Sequence, residues 1–243
     1  MINILHLYYD LLNLYGDNAN IRAFKKEFER NHMKVKVDFK SLYEEIDFKK
    51  YDIIFIGSGS EENILLAIED IKHRKDDILK YINQNKYMFL TGNAIDIFSK
   101  QIIAKEYIIE GSNIFDFETK YIDSKIFKNA GGNRIVGECI AETDLINKKI
   151  IGFQNRGTIN LNISNALFKT KEIYSNDLIS TDEGFNYKNL YASHIIGPLF
   201  IRNPYLLDYF IEKILTEKKV KFTPNDKSAA KIAYKKYLEN FNI

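Results

Sequence analysis

Asp52-Ile53-Ile54-Phe55-Ile56-Gly57-Ser58-Gly59-Ser60 is an apolar run of strand length that ends in a glycine-serine turn, and Ile64, Leu65, Ile68, Ile71, Ile78 and Ile82 follow it. An unbroken apolar run reads as a strand buried on both faces, and the isoleucines after it fall on one stripe of a long amphipathic helix. The same step occurs on either side. Upstream, Ile2–Tyr8 is a short apolar strand, Asp10–Asn20 a polar turn, and Ile21, Phe24 and Phe28 mark a helix over Ile21–Asn31. Val35, Val37 and Phe39 then alternate with Lys36 and Asp38 at the period of a strand. Downstream, Tyr87-Met88-Phe89-Leu90 is another buried strand that breaks at Thr91-Gly92-Asn93 into a helix predicted over Ala94–Lys100. Strand and helix in alternation predict an α/β fold with a mostly parallel sheet flanked by helices on both faces.

Beyond Glu110 the rhythm changes. Arg134–Glu142, Lys149–Gln154 and Asn189–Ile195 read as strands with few helices between them, which predicts a more antiparallel extension of the sheet in the second half. Two helices close the chain, one over Pro204–Glu217 with proline in its first turn and one over Lys227–Asn240. There is no internal repeat and no low-complexity linker, so residues 1–243 are expected to form a single domain.

Composition excludes several classes of function. Apolar residues supply 45% of the chain and charged residues 28%, unlike a disordered or collagen-like protein. Thirty-five basic side chains against 33 acidic ones leave a formal charge of +2, too balanced for nucleic acid or an anionic membrane as the main partner. Cys139 is the single cysteine, which removes intrachain disulfides and cysteine-based metal clusters. No apolar run approaches the roughly 20 residues of a membrane span, and the opening MINILHLYYDLLNLYGD carries no secretory pattern. A cytoplasmic protein without metal, cofactor or membrane insertion is expected.

Ligands of open α/β sheets bind beyond the carboxyl ends of the strands, which singles out the turns Asp10–Asn20, Gly57–Ser60 and Thr91–Asn93. Gly57-Ser58-Gly59-Ser60 lacks the Gly-Lys-Ser/Thr ending of a P-loop, and Glu61-Glu62 would repel phosphate; the turn is either structural or a ligand cradle. Thr91 stands where nucleophile elbows present a side chain, yet a threonine hydroxyl needs an adjacent base, and threonine also suits a strand end or a helix cap. His6 lies inside the first strand, His32 ends the first helix, and His73 sits among charges on a helix face, all structural or surface positions. His194, just before Gly197-Pro198, is the histidine left as a weak catalytic candidate. Cys139 alternates with Ile135, Gly137 and Ala141 and reads as a core thiol.

These segments together resemble the GatD-like branch of the class I glutamine amidotransferases, also called CobB/CobQ-like, over nearly the whole chain. Leu12-Asn13-Leu14-Tyr15-Gly16-Asp17 with Asn20-Ile21 is similar to the family's N-terminal LNLYxDxxNI signature, and Asp52–Ser60 to its DIxFIGGGS turn. Asn133-Arg134-Ile135-Val136-Gly137-Glu138 resembles NRLxGD, and Ile151-Gly152-Phe153-Gln154-Asn155 resembles VGFEN. Glu183-Gly184, Tyr187-Lys188-Asn189-Leu190, Gly197-Pro198-Leu199 and Asn203 keep the spacing of EG…YKNLxxTYxHGPxLxxN. The resemblance implies a flavodoxin-like sheet, glutamine as the small molecule bound, and a heteromer with a MurT-like, Mur-ligase-family protein in the amidation of lipid II. It also implies a substrate pocket built from Gly57, Gly59, Gly92 and Arg134, the arginine matching one that handles the substrate carboxylate.

At the reacting positions the pattern departs from the family. Its elbow, xxCGGYQ, aligns with Phe89-Leu90-Thr91-Gly92-Asn93-Ala94-Ile95, which places Thr91 at the cysteine nucleophile and Ile95 at the glutamine. Its histidine base aligns with Ile196, and its GGGxxxEQ turn has Ser58 at a glycine and Ile64 at the glutamine. His194 lies two residues earlier on the same strand, displaced by about 6.6 Å, outside hydrogen-bond reach of the old position. The expected function is therefore a GatD-like subunit inactive as a glutaminase. An active amidotransferase using threonine or a shifted histidine is the first alternative, and a small-ligand sensor on the old fold the second.

Overall fold

The computed structural model describes residues 1–122, 134–173 and 182–240. β1 (Ile2–Leu7), α1 (Asn18–Arg30), β2 (Val35–Lys40), β3 (Ile53–Ile56), α2 (Glu61–Asn83) and β4 (Tyr87–Thr91) follow the predicted order. The four strands run parallel, with β2 at the edge, then β1, β3 and β4. Alternate residues of the central strands divide between two cores. Ile54, Ile56, Met88 and Leu90 face α2, together with Ile64, Ile68, Ile71 and Ile78 of that helix. Ile53, Phe55, Tyr87 and Phe89 face α1 and the C-terminal helices, with Phe24, Phe200 and Phe210. The two-residue period of a strand therefore places an apolar side chain on each face in turn, so both faces must be covered. Phe89 is the hub of the second core, its ring 5.0 Å from Phe24, 5.2 Å from Phe200 and 4.9 Å from Phe210.

The segment after β4 departs from expectation. Instead of an α-helix over Ala94–Lys100, Gly92–Phe98 forms a 3₁₀ turn, and β5 (Gln101–Ile103) begins at once. Gly92, Ala94, Ile95, Asp96, Ile97 and Phe98 are all buried, so the segment has no solvated face along which an amphipathic helix would continue. Ser99 ends it by donating its hydroxyl to the Asp96 carbonyl at 2.8 Å.

The second half adds β6 (Ile108–Glu110), β7 (Glu118–Tyr121), β8 (Ile135–Glu142), β9 (Ile150–Arg156), β10 (Thr158–Leu161), β11 (Phe168–Ile173), β12 (Asp182–Glu183), β13 (Phe185–Tyr187) and β14 (Leu190–Ser193). These do not all extend one sheet. The order β10-β7-β5-β6 makes a second sheet and β12-β11-β8-β9 a third, the latter antiparallel throughout. β14, expected among the antiparallel strands, instead joins the main sheet parallel to β4, with Ser193 opposite Thr91, and β13 closes that edge antiparallel. Every residue of β14 is buried, so its sequence carries no alternation from which direction is read; chain routing sets it. Asn133 lies outside the described residues. α3 (Leu199–Arg202), α4 (Pro204–Glu217) and α5 (Ala229–Glu239) end the chain, the last two where the sequence predicts helices.

Candidate functional site

The carboxyl ends of β1, β3, β4 and β14 meet around one side chain that has no assigned role in the sequence reading. Asp17, at the entrance to α1, is 1% exposed and accepts the Thr91 hydroxyl at 2.6 Å on one oxygen and the Ser58 hydroxyl at 2.7 Å on the other. The Ser58 N–H reaches the second oxygen as well, at 3.2 Å. Burial raises the Asp17 pKa above its ordinary value, against the opposing pull of these hydrogen bonds. Thr91 is thus a hydroxyl donor to a buried carboxyl group, with no histidine between them.

The backbone at Thr91 is ordinary extended chain, φ −122° and ψ 149°, and the left-handed residue is Gly92 at φ +62°. Glycine is required there on two counts, since a Cβ would also stand 2.4 Å from Ser58 Cβ. The same imagined Cβ lies 3.3 Å from Ile196 Cγ2, so Ile196, the residue that the resemblance aligns with the family's base, stands beside this turn. It is 2% exposed and locked by reciprocal backbone bonds to Phe153. An apolar side chain thereby occupies the position from which a proton would be taken.

Gly57 and Gly59 answer to close packing. A Cβ on Gly57 would fall 2.3 Å from the Leu12 carbonyl oxygen, and one on Gly59 2.3 Å from Leu12 Cδ2. The turn's N–H groups are engaged within the protein: that of Ser58 by Asp17, and that of Gly59 by Asn93 Oδ1 at 3.0 Å, while Asn93 Nδ2 returns a bond to the Gly59 carbonyl at 2.8 Å. Two N–H groups of this turn that would serve an oxyanion are therefore already committed.

Arg134 reaches this place from the third sheet. Its Nη1 lies 2.6 Å from Glu61 Oε1 and its Nε 2.8 Å from Asn155 Oδ1. Burial alone would raise the Glu61 carboxyl; Arg134 outweighs it and holds the group below the usual carboxylate range. The space enclosed by Glu61, Ile64, Asn93, Asp96, Arg134 and Thr158 amounts to about 10 Å³, scarcely one water. The protein's own carboxylate holds the arginine that the resemblance assigns to a substrate carboxylate.

His194 points elsewhere. It is 2% exposed, and Arg156 Nη1 lies 3.1 Å from its Nδ1. A guanidinium only donates, so in a neutral ring this contact makes Nδ1 the acceptor and leaves the proton on Nε2, 3.8 Å from Asp96 Oδ1. Neither nitrogen then offers a lone pair to a Thr91 hydroxyl. Glu183, buried beside it, accepts the His194 N–H at 2.6 Å and the Ser193 hydroxyl at 2.9 Å. Asp96 completes the cluster by accepting the Thr158 hydroxyl at 2.7 Å and Asn160 Nδ2 at 3.0 Å. Arg156 and Asp96 are about 60 residues apart in the chain, and no local pattern pairs them. Among the remaining candidates, His6 and Cys139 are fully buried and His32 and His73 exposed, all away from the Asp17 cluster.

Comparison with known proteins shows the family. Residues 3–204 match the model of the CobB/CobQ-like glutamine amidotransferase domain. The chain belongs to that family. Within it, the lipid II isoglutaminyl synthase (glutamine-hydrolyzing) subunit GatD of Staphylococcus aureus (strain N315) is 31% identical over 231 residues, 93% of this chain and 89% of that protein. The subunit of the same name from Streptococcus pneumoniae (strain ATCC BAA-255 / R6) is 27% identical over 220 residues, 89% and 82% of the two chains. Among solved structures, the glutaminase domain of Trypanosoma brucei CTPS with bound acivicin superposes with a TM-score of 0.53 at 11% identity, covering 95% of this chain and 99% of that one, a likeness of fold. As a CobB/CobQ-like amidotransferase domain, this chain has Thr91 and Ile196 at the positions that the resemblance aligns with the reacting residues. No described helix is long and apolar enough to cross a membrane.

Proposed function

We propose that this CobB/CobQ-like domain is a GatD-like, cytoplasmic subunit of an assembly that amidates lipid II, and that it has no glutaminase activity of its own. Residues 1–243 act as one domain docked on a MurT-like, Mur-ligase-family partner. The observation that carries the reading is the Asp17 clamp. Class I glutamine hydrolysis needs a thiolate, a base and free oxyanion donors, whereas here a threonine hydroxyl is bonded to a buried acid beside an isoleucine. Gly57, Gly59, Gly92 and Arg134 are the remains of the substrate pocket, with Arg134 now paired to Glu61. The relatives that share about 30% of the sequence are named as subunits of lipid II isoglutaminyl synthase, which supports both the pathway and the assembly.

Co-expression with the Mur-ligase-like protein tests this. A specific complex, burying roughly 1,200–2,000 Å² as stable interfaces do, should co-purify, and its ATP-dependent amidation should run on ammonium and not on glutamine. Two separate gel-filtration peaks, or glutamine serving as well as ammonium, would overturn the proposal.

A further inference from the structure

β2 forms one edge of the main sheet, with β1 as its sole strand neighbour among the described residues. The Ile2 N–H donates to the Lys34 carbonyl at 2.8 Å and the Tyr8 N–H to the Lys40 carbonyl at 2.6 Å. In a parallel ladder these bonds turn the backbone of Lys34, Lys36, Asp38 and Lys40 towards β1. The N–H and C=O groups of Val35, Val37 and Phe39 therefore point out of the sheet. Such an edge is a template for another strand unless something blocks it, and β2 contains neither proline nor a bulge. Its apolar surface is open as well: Phe39 is 52% exposed, and its ring lies 5.3 Å from that of Tyr9, itself 41% exposed.

The side chains select the strand that fits this edge. In antiparallel pairing, residues whose backbone groups point outward must face one another, each pair exchanging both bonds. Val35, Val37 and Phe39 meet that condition when β2 faces a second β2 about a twofold axis at Val37. Val37 then stands opposite Val37, and Val35 opposite Phe39 on the side of α1, where both valines pack, so that the open ring is covered. On the other side Lys36 of each copy stands opposite Asp38 of its mate, at the close, non-hydrogen-bonded positions. Lys36 already reaches Asp38 of its own chain at 3.0 Å, and pairing closes a ring of alternating charges. Moved one residue either way, the axis would set Lys36 opposite Lys36 or Asp38 opposite Asp38, which like charges oppose. Lys40, which comes opposite Lys34 at the ends, is held by Glu44 at 2.8 Å.

We propose that β2 joins two copies of this chain, paired antiparallel about a twofold axis at Val37 so that their main sheets run on as one. The inference goes beyond the subunit reading and does not depend on it, because β2 is the edge opposite β13 and β14 and the test needs only the isolated chain. In sedimentation velocity the full chain should form a dimer. Asp38→Lys turns both attractive cross-strand pairs into repulsive ones and should weaken the dimer roughly tenfold, and adding Lys36→Asp to the same chain should restore it. Rescue by the second reversal separates pairing from damage to the fold. Register is read by oxidation of a mixture of one chain carrying Lys36→Cys and another carrying Asp38→Cys, since facing non-hydrogen-bonded positions bring Cα atoms to about 4.5 Å, within disulfide reach. The two variants should cross-link to each other and not to themselves, and Cys139, fully buried, adds no background. A monomer at every concentration, a dimer indifferent to Asp38→Lys or not restored by the double reversal, or either cysteine variant cross-linking chiefly to itself would each overturn the assignment.

Discussion

Thr91 Oγ1 lies 2.6 Å from one oxygen of the Asp17 carboxylate, and Asp17 is 1% exposed. Removing the hydroxyl alone leaves a buried carboxylate short of one donor. Thr91→Val, which keeps the shape and the β propensity, should destabilise the fold by about 1–3 kcal/mol in equilibrium urea denaturation. Ammonia release from glutamine should stand at background for the unaltered chain and for the variant alike. Turnover in the unaltered chain that disappears in Thr91→Ala would show the threonine to be a nucleophile after all.

Restoring the family's reacting pair should not restore its chemistry. In Thr91→Cys/Ile196→His the pocket keeps Glu61 on Arg134, Ile64 and Ile95 at the family glutamine positions, and the Ser58 and Gly59 N–H groups bonded internally. The double variant is expected to release no more ammonia than the unaltered chain in a coupled assay. Efficient hydrolysis would mean that glutamine displaces Glu61 from the arginine without further change.

Cys139 is fully buried on β8, opposite Gly152, and burial pushes its thiol up to about 12. Iodoacetamide should label it slowly in the folded protein and at the rate of a free thiol in denaturant, followed by mass spectrometry. Fast labelling of the folded chain would place the residue outside the core.

His6 gives the fold an acid limb. It is fully buried among Tyr9, Phe39 and Phe55, neither ring nitrogen has a partner among the described residues, and desolvation lowers its pKa from 6.5 to about 4. Between those values the unfolded chain binds the proton and the folded one does not, so stability falls as pH falls from 6.5 towards 4, by up to about 3 kcal/mol. Asp17 works in the opposite sense, because its raised pKa favours the folded state on acidification. Urea midpoints against pH should therefore show a shallower acid limb in His6→Leu than in the unaltered chain. Equal slopes would mean that His6 is already protonated when folded.

What the amino-acid sequence determined is local or periodic. The apolar runs Ile2–Tyr8, Asp52–Ile56 and Tyr87–Leu90 fixed the parallel strands, the isoleucines after Ser60 fixed α2, and Pro204 set the start of α4, because burial on two faces and helical spacing are written in neighbouring residues. The motifs around Asp17, Gly57 and Gly197 were enough to place the family, and the exchanges at Thr91 and Ile196 enough to question its chemistry. Tertiary structure alone decided the direction of β14 and the 3₁₀ turn after Thr91, since uniformly buried segments carry no periodicity to read. It also decided what each polar group touches. The bonds of Asp17 to Thr91, of Arg134 to Glu61 and of Arg156 to His194 join residues 74, 73 and 38 positions apart, and whether a side chain meets a base or a carboxylate depends on how the sheets pack.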